Sequence, residues 1–317
     1  MNSTQDARPA TGEPQPVFMY GHLSTFLGVP RLADLDASKA DLVVQGIPFD
    51  LGTQGRPGTR YGPTAIRTTS VHLAWEETRW PWEFKLFDEL TVEDAGDVAF
   101  TTGMPGRMVD EVMRRTGSIL AAGKRVMSFG GDHYVTLPLL RAHHEHHGTL
   151  SLLHFDAHTD TDPGEDYDHG TMFHHAVKEG LIDPSRSVQV GIRTDYERKD
   201  YPFTVLDADW VVNHGPRKAA ERIKEVLGGH AVYMTFDIDC LDPSCAPGTG
   251  TPVVGGPSTN AVLQTVRDLI DLDIVGLDLV EVSPPYDTAD ITALAGASIC
   301  LEFLYVLAER KRQGLLR

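Results

Sequence analysis

A chain of 317 residues with 41% apolar content can bury one large core, and its 28 Lys and Arg against 45 Asp and Glu leave a net charge of −17. That balance argues against nucleic acid and anionic membranes as partners and favours a cationic small molecule. The cysteines Cys240, Cys245 and Cys300 are odd in number and form no C-x-x-C pair, no apolar run approaches the ~20 residues of a membrane span, and the first residues lack a signal peptide's apolar core; a reduced, cytoplasmic protein is expected.

Residues 1–16 are polar and rich in Pro, Thr and Gln, which predicts a loosely ordered leader before a single domain over 17–317. Asp41 to Pro48 reads as a buried strand running into a Gly-rich loop, Gly52 to Pro63. That loop lacks the spacing and the Lys-Ser/Thr end of a phosphate-binding loop and is expected to be a rim, with a helix starting near Pro63. Trp75, Trp80 and Trp82 fall where no period is sustained, and packing of a long loop is the expectation for them. Leu90 to Val98 predicts a strand, and Arg107 to Ala122 a helix stopped by Gly123. Lys124 to Phe129 predicts the strand that delivers Gly130-Gly131-Asp132-His133. The helix predicted over Thr136 to His147 ends in four His, read as a solvated helix terminus rather than a metal tract.

The centre of the chain is Leu152 to Thr161, an apolar run that ends in Asp156, His158 and Asp160. On an extended backbone these alternate positions share one face, about 6–7 Å apart. That spacing suits a pair of ions, with Asp156 as the bridge. Val232 to Pro243 repeats the design with Asp237 and Asp239, and acids crowded at a buried strand end call for cations. Strands are further predicted at Val188 to Ile192, Phe203 to Leu206 and Ile274 to Val280, the last ending in Glu281, and helices at Arg217 to Leu227, Asn260 to Leu269 and Ala293 to Arg310. Strands alternating with helices specify an α/β fold whose mostly parallel sheet is covered on both faces and collects ligands at the strands' carboxyl ends.

Gly130-Gly131-Asp132-His133, Asp156-Ala157-His158-Thr159-Asp160 and Phe236-Asp237-Ile238-Asp239-Cys240-Leu241-Asp242-Pro243, with Pro247 to Pro252 behind, resemble the three signatures of the ureohydrolase (arginase and agmatinase) family. The resemblance covers about residues 40 to 310 and is greatest to the bacterial agmatinase branch, through Phe49-Asp50, Leu73 to Glu76, Asp168 to Phe173 and Glu281 to Asp287. It implies a three-layer α/β/α fold shared with deacetylases, two manganese ions per subunit, cleavage of a guanidinium to urea and an amine, and a homotrimer or homohexamer. Carried over, the first ion takes His133, Asp156, Asp160 and Asp237, and the second Asp156, His158, Asp237 and Asp239.

The residues support manganese on their own account, because four carboxylates and two imidazoles are a hard, oxygen-rich set without thiolates. A hydroxide bridging the ions is the expected nucleophile, attacking the guanidinium carbon. Glu281 is expected to orient that guanidinium, Asp160 to take and pass on the hydroxide's proton, and His169 to shuttle it. His154 is expected to support Asp156 from behind rather than ligate. Glu165, Asp166 and Asp168 would repel an α-carboxylate and attract a terminal ammonium, which favours agmatine. The alternatives are guanidinobutyrate, guanidinopropionate or arginine as substrate, or a non-catalytic metal-bound regulator of the same fold.

Overall fold

The computed structural model describes residues 25–76 and 78–316, so the leader expected over residues 1–16 lies outside the described residues. Among the described residues eight strands form one sheet: β1 (Leu42–Gly46), β2 (Val92–Asp97), β3 (Arg125–Phe129), β4 (Ser151–Phe155), β5 (Val188–Val190), β6 (Thr204–Leu206), β7 (Ala231–Asp237) and β8 (Asp273–Val280). All neighbours are parallel, in the order β2-β1-β3-β8-β7-β4-β5-β6. The chain builds both flanks first and then inserts β7 and β8 between β4 and β3. The four central strands, β3, β8, β7 and β4, are therefore neighbours in space although they come from distant parts of the sequence.

The central strands are buried on both faces, which parallel sheets require. Along β7, Val232, Met234 and Phe236 enter one apolar cluster and Tyr233 the other, the period-two alternation of a strand shared by two layers. Helices α1 (Gly62–Ser70), α2 (Leu86–Glu89), α6 (Ala208–Leu227), α7 (Thr259–Arg267) and α8 (Ile291–Arg312) pack among themselves on one side. Helices α3 (Pro105–Ala121), α4 (Thr136–His147) and α5 (Met172–Lys178) cover the other. The result is the expected three-layer α/β/α architecture.

Some boundaries differ from expectation for physical reasons. The helix predicted from Arg217 is the second half of α6, whose first half is capped by Asp207, accepting from the Trp210 N–H, and which kinks at Gly215 (φ 79°) before Pro216. Neither α2 nor α5 was expected, since each is too short to show a sustained period. The expectation that no apolar run approaches a membrane span in length is corrected by α8, which is long and apolar enough but is wrapped by α1 and α7 as a core helix. Its buried Glu302 accepts from Trp82 Nε1 (2.7 Å) and Arg267 Nε (2.8 Å). Trp82 also stacks on Tyr305, so it packs the loop as expected, whereas Trp75 and Trp80 are exposed.

The His tract ending α4 is not uniformly solvated. His143 is buried and donates from Nδ1 to the Leu139 carbonyl (2.8 Å), and burial pushes its pKa from 6.5 down to about 3. Because the folded value is depressed, the unfolded chain binds the proton first as pH falls, so stability held above about pH 6.5 is lost toward pH 3. The slope is roughly 1.4 kcal/mol per pH unit for this group. Between pH 7 and pH 5, the thermal midpoint of His143→Leu is expected to fall less than that of the parent; parallel curves would contradict the assignment.

Candidate metal centre and active-site cavity

The candidate residues lie at the carboxyl ends of the four central strands. After β3 the chain turns through Gly130 and Gly131, and a Cβ on Gly131 would collide with the Phe49 carbonyl, so only glycine fits there. The Gly131 carbonyl accepts from the Glu281 N–H (2.8 Å), which sets the two strand ends side by side. Asp132 ties this turn to the Gly52 loop by accepting from the Gly52 N–H (2.6 Å).

His133 is fully buried and its tautomer follows from its neighbours. Thr235 Oγ1 donates its one hydrogen to Asp278 Oδ1 (2.6 Å), so it can only accept from His133 Nε2 (2.9 Å). Nδ1 then carries a lone pair, and it faces Asp160 Oδ2 (2.8 Å), Asp156 Oδ2 (3.2 Å) and Asp237 Oδ2 (3.3 Å). Despite those distances, Nδ1 makes no hydrogen bond of acceptable geometry among the described residues. A buried lone pair turned toward three carboxylate oxygens is the environment of a cation ligand.

The stretch after β4 is not extended, which corrects the expectation of one shared face with even spacing. The ladder reaches the Asp156 N–H, which donates to the Val190 carbonyl (3.0 Å); then Asp156 Oδ1 accepts from the His158 N–H (2.6 Å), and Asp160 takes a left-handed φ of 49°. The turn curls the acids inward. Asp237 likewise accepts from the Asp239 N–H (2.8 Å), and Asp239 accepts from the Ala157 N–H (3.1 Å) and Thr251 Oγ1 (3.2 Å). Two donor groups result, each with its atoms within 4.8 Å of one another: His133, His154, Asp156 and Asp160, and Asp156, His158 and Asp239. Asp156 belongs to both. His154 is close, but both ring nitrogens are engaged: Nε2 with Asp156 Oδ2 (2.7 Å) and Nδ1 with Gln189 Nε2 (3.0 Å). Asp237 adjoins the first group through His133.

The electrostatics point the same way. Burial, the Asp239 and Asp156 charges push Asp237 well above the ordinary carboxylate range. Burial and the Asp156 charge raise Asp160 to about 7 and also raise Asp239. Burial opposes charge on Asp156 too, but the imidazoles around it, His154 foremost, hold it well below that range. Acids so crowded repel one another's charge, and cations are the compensation that keeps them ionised. No cysteine sulfur belongs to either donor group, and the set of carboxylates and imidazoles fits hard or borderline divalent cations.

Above the centre opens a cavity of about 250 Å³ lined by His158, Asp160, Asp162, His169, Asp195 and Asp237 among others. Glu281, with a left-handed φ of 63°, sits just past β8; its Oε1 accepts from the His133 N–H and from His169 Nδ1 (both 2.9 Å). Its Oε2 is buried and has no partner among the described residues. A carboxylate oxygen left in that state is a receptor for a cationic donor. His169 Nε2 accepts from the Gln54 N–H (3.1 Å). Burial opposes charge on His169, but Glu281, with Asp160 and Asp132, more than offsets it and raises the ring to about 9.

The acids in the cavity wall differ from those singled out in the sequence. Glu165 and Asp166 are exposed, and neither lines the cavity. Asp168 spends its carboxylate on the loop, accepting from the Gln54 side chain and from the Gly170 N–H (2.9 Å). Asp162 and Asp195 line the cavity instead. Nothing in the text marks Asp195, whereas Asp278 was visible as a charge inside an apolar strand, a placement that requires partners: Tyr233, Thr235 and Thr136 all donate to it.

Comparison with known proteins adds the lineage. The family model described as Arginase family matches residues 40–305. The chain is similar to an agmatinase of Photorhabdus laumondii, 55% identical over 288 residues, covering 90% of this chain and 94% of that protein. It is similar to an agmatinase of Neisseria meningitidis, 56% identical over 275 residues, with 86% and 89% covered. Among solved structures it resembles a hypothetical agmatinase from Burkholderia thailandensis (TM-score 0.89, 47% identity, 93% and 94% covered). It also resembles a proclavaminate amidino hydrolase from Streptomyces clavuligerus (TM-score 0.85, 38% identity, 92% and 99% covered). With its parallel sheet, paired donor groups and a family match over most of its length, this chain belongs to the arginase family of amidine-cleaving hydrolases.

Proposed function

We propose that this protein hydrolyses agmatine to putrescine and urea at a binuclear manganese centre in the cytoplasm, as a homotrimer or homohexamer. The observation that carries the reading is a pair of donor groups sharing Asp156 beneath an acidic cavity, with the buried Glu281, bonded to the cavity residue His169, keeping an Oε2 that has no partner among the described residues. One ion would be held by His133, Asp156, Asp160 and Asp237, and the other by Asp156, His158, Asp237 and Asp239. When bound, the pair supplies positive charge against these acids and lowers the pKa of water enough to make it a nucleophile at neutral pH.

The chain's own residues do the rest. Glu281 Oε2 accepts from the guanidinium nitrogens and holds the planar carbon over the centre, which removes most of the orientational cost of the attack. Asp160 receives a proton from the attacking water and delivers it to the departing nitrogen. His169 bears a proton below about pH 9, and from Nδ1 it can relay that proton along Glu281 to the product amine. Charging His169 puts a hydrogen on Nε2 opposite the Gln54 N–H, so that contact favours the neutral ring.

Asp162 and Asp195 set the substrate class: acids in the wall attract a terminal ammonium and repel the carboxylate of a guanidino acid. Urea release from a panel of agmatine, arginine, guanidinobutyrate and guanidinopropionate tests this. Agmatine is expected to give the highest kcat/KM, and Asp195→Asn to raise its KM about tenfold with kcat little changed. A guanidino acid ranking above agmatine would overturn the substrate assignment.

A further inference from the structure

Asp156 Oδ2 is reached by a line of polar groups, buried but for the half-buried Tyr201 at its outer end, that the chemistry above does not use. Tyr201 Oη donates to Gln189 Oε1 (2.6 Å), and Gln189 Nε2 donates to the Thr159 carbonyl (2.7 Å) and to His154 Nδ1 (3.0 Å). His154 Nε2 in turn donates to Asp156 Oδ2 (2.7 Å), and neither Gln189 nor His154 has measurable exposure. One atom fixes every direction in the line. The Thr159 carbonyl can only accept, so the nitrogen of the Gln189 amide must face it, and that same nitrogen faces His154 Nδ1. Nδ1 therefore accepts, the ring carries its hydrogen on Nε2, and that hydrogen points at Asp156. With the opposite tautomer, a nitrogen lone pair would oppose the carboxylate at hydrogen-bond distance.

Gln189 stands between Val188 and Val190 in β5, where packing alone would favour another apolar side chain. Its amide is nonetheless bonded at both ends: the Thr159 carbonyl fixes which end is nitrogen, and the Tyr201 phenol donates to the oxygen.

We propose that Gln189 is a positioning residue for the metal centre: by holding His154 as the Nε2–H tautomer, it fixes the orientation in which Asp156 serves both donor groups, and Tyr201 holds the Gln189 amide in place. The inference deepens the metal reading above and rests on it.

The test is manganese affinity of the full-length chain, measured by competition with a chelating indicator. Gln189→Glu puts a carboxylate oxygen opposite His154 Nδ1 and draws the hydrogen away from Asp156; at least one manganese dissociation constant is expected to rise about 10- to 100-fold. Tyr201→Phe removes only the hydroxyl and is expected to weaken binding about threefold, with KM for agmatine at saturating manganese unchanged. A Gln189→Glu chain with parental circular dichroism and manganese affinity within about twofold of the parent would overturn the proposal. Should that variant not fold, Tyr201→Phe decides, and an unchanged constant there overturns it. A parent chain that binds no manganese would instead refute the metal reading itself, so the two failures are distinguishable.

Discussion

Asp156→Asn is expected to lower urea release from agmatine by about four orders of magnitude or more while leaving the fold intact. The carboxylate belongs to both donor groups, and it receives hydrogen bonds from the His158 N–H and from His154. An amide of the same shape removes the charge that the two proposed ions would share, and its NH2 group meets either the His158 N–H or His154 Nε2–H donor to donor. Either the second ion is lost, or the pair is held too loosely to activate water. The surrounding strands provide a large apolar core independent of this side chain, so circular dichroism should match the parent. Manganese bound per chain should fall from two to one or fewer. A variant that keeps two ions and parental turnover would show that Asp156 is not the bridge.

Glu281→Gln is expected to cost about three orders of magnitude in kcat/KM with manganese content unchanged. Glu281 is not among the donor groups, but its Oε2, without a partner among the described residues, is the buried acceptor on which a guanidinium would dock. The amide either turns its oxygen to His133 and His169, presenting NH2 to a cationic substrate, or does the reverse and sets a donor against the His133 N–H. The loss should appear in kcat as well as KM, because the same contact places the reacting carbon. A change confined to manganese binding would instead make Glu281 part of the metal centre.

Much of the fold and of this centre was legible in the text. Apolar runs ending in His133, in Asp156 to Asp160 and in Asp237 to Asp239 announce strand ends, and in a parallel sheet strand ends share one edge. What could not be read was strand adjacency: β7 and β8 are late in sequence yet central in the sheet, and only that insertion brings Asp237 beside His133 and Glu281 beside His169. The local geometry was misread for a related reason, since the extended alternation expected after Leu153 stops at Asp156, where side-chain oxygens take over the bonding of backbone N–H groups. Glu165 looked like a substrate contact because it is an acid near His169 in sequence; Asp162 and Asp195, from two separate loops, form the wall, and proximity along the chain does not report that. The Gln189 line was invisible for the same reason, because its members come from three separate stretches, 154–159, Gln189 and Tyr201.

The most direct measurement is a manganese titration of metal-depleted protein, with bound metal and urea release from agmatine read on the same samples. Two ions per chain, with turnover absent in the metal-free protein and appearing in step with filling of the pair, is the predicted result. Full turnover with one ion per chain, or with none, would contradict a centre built around Asp156.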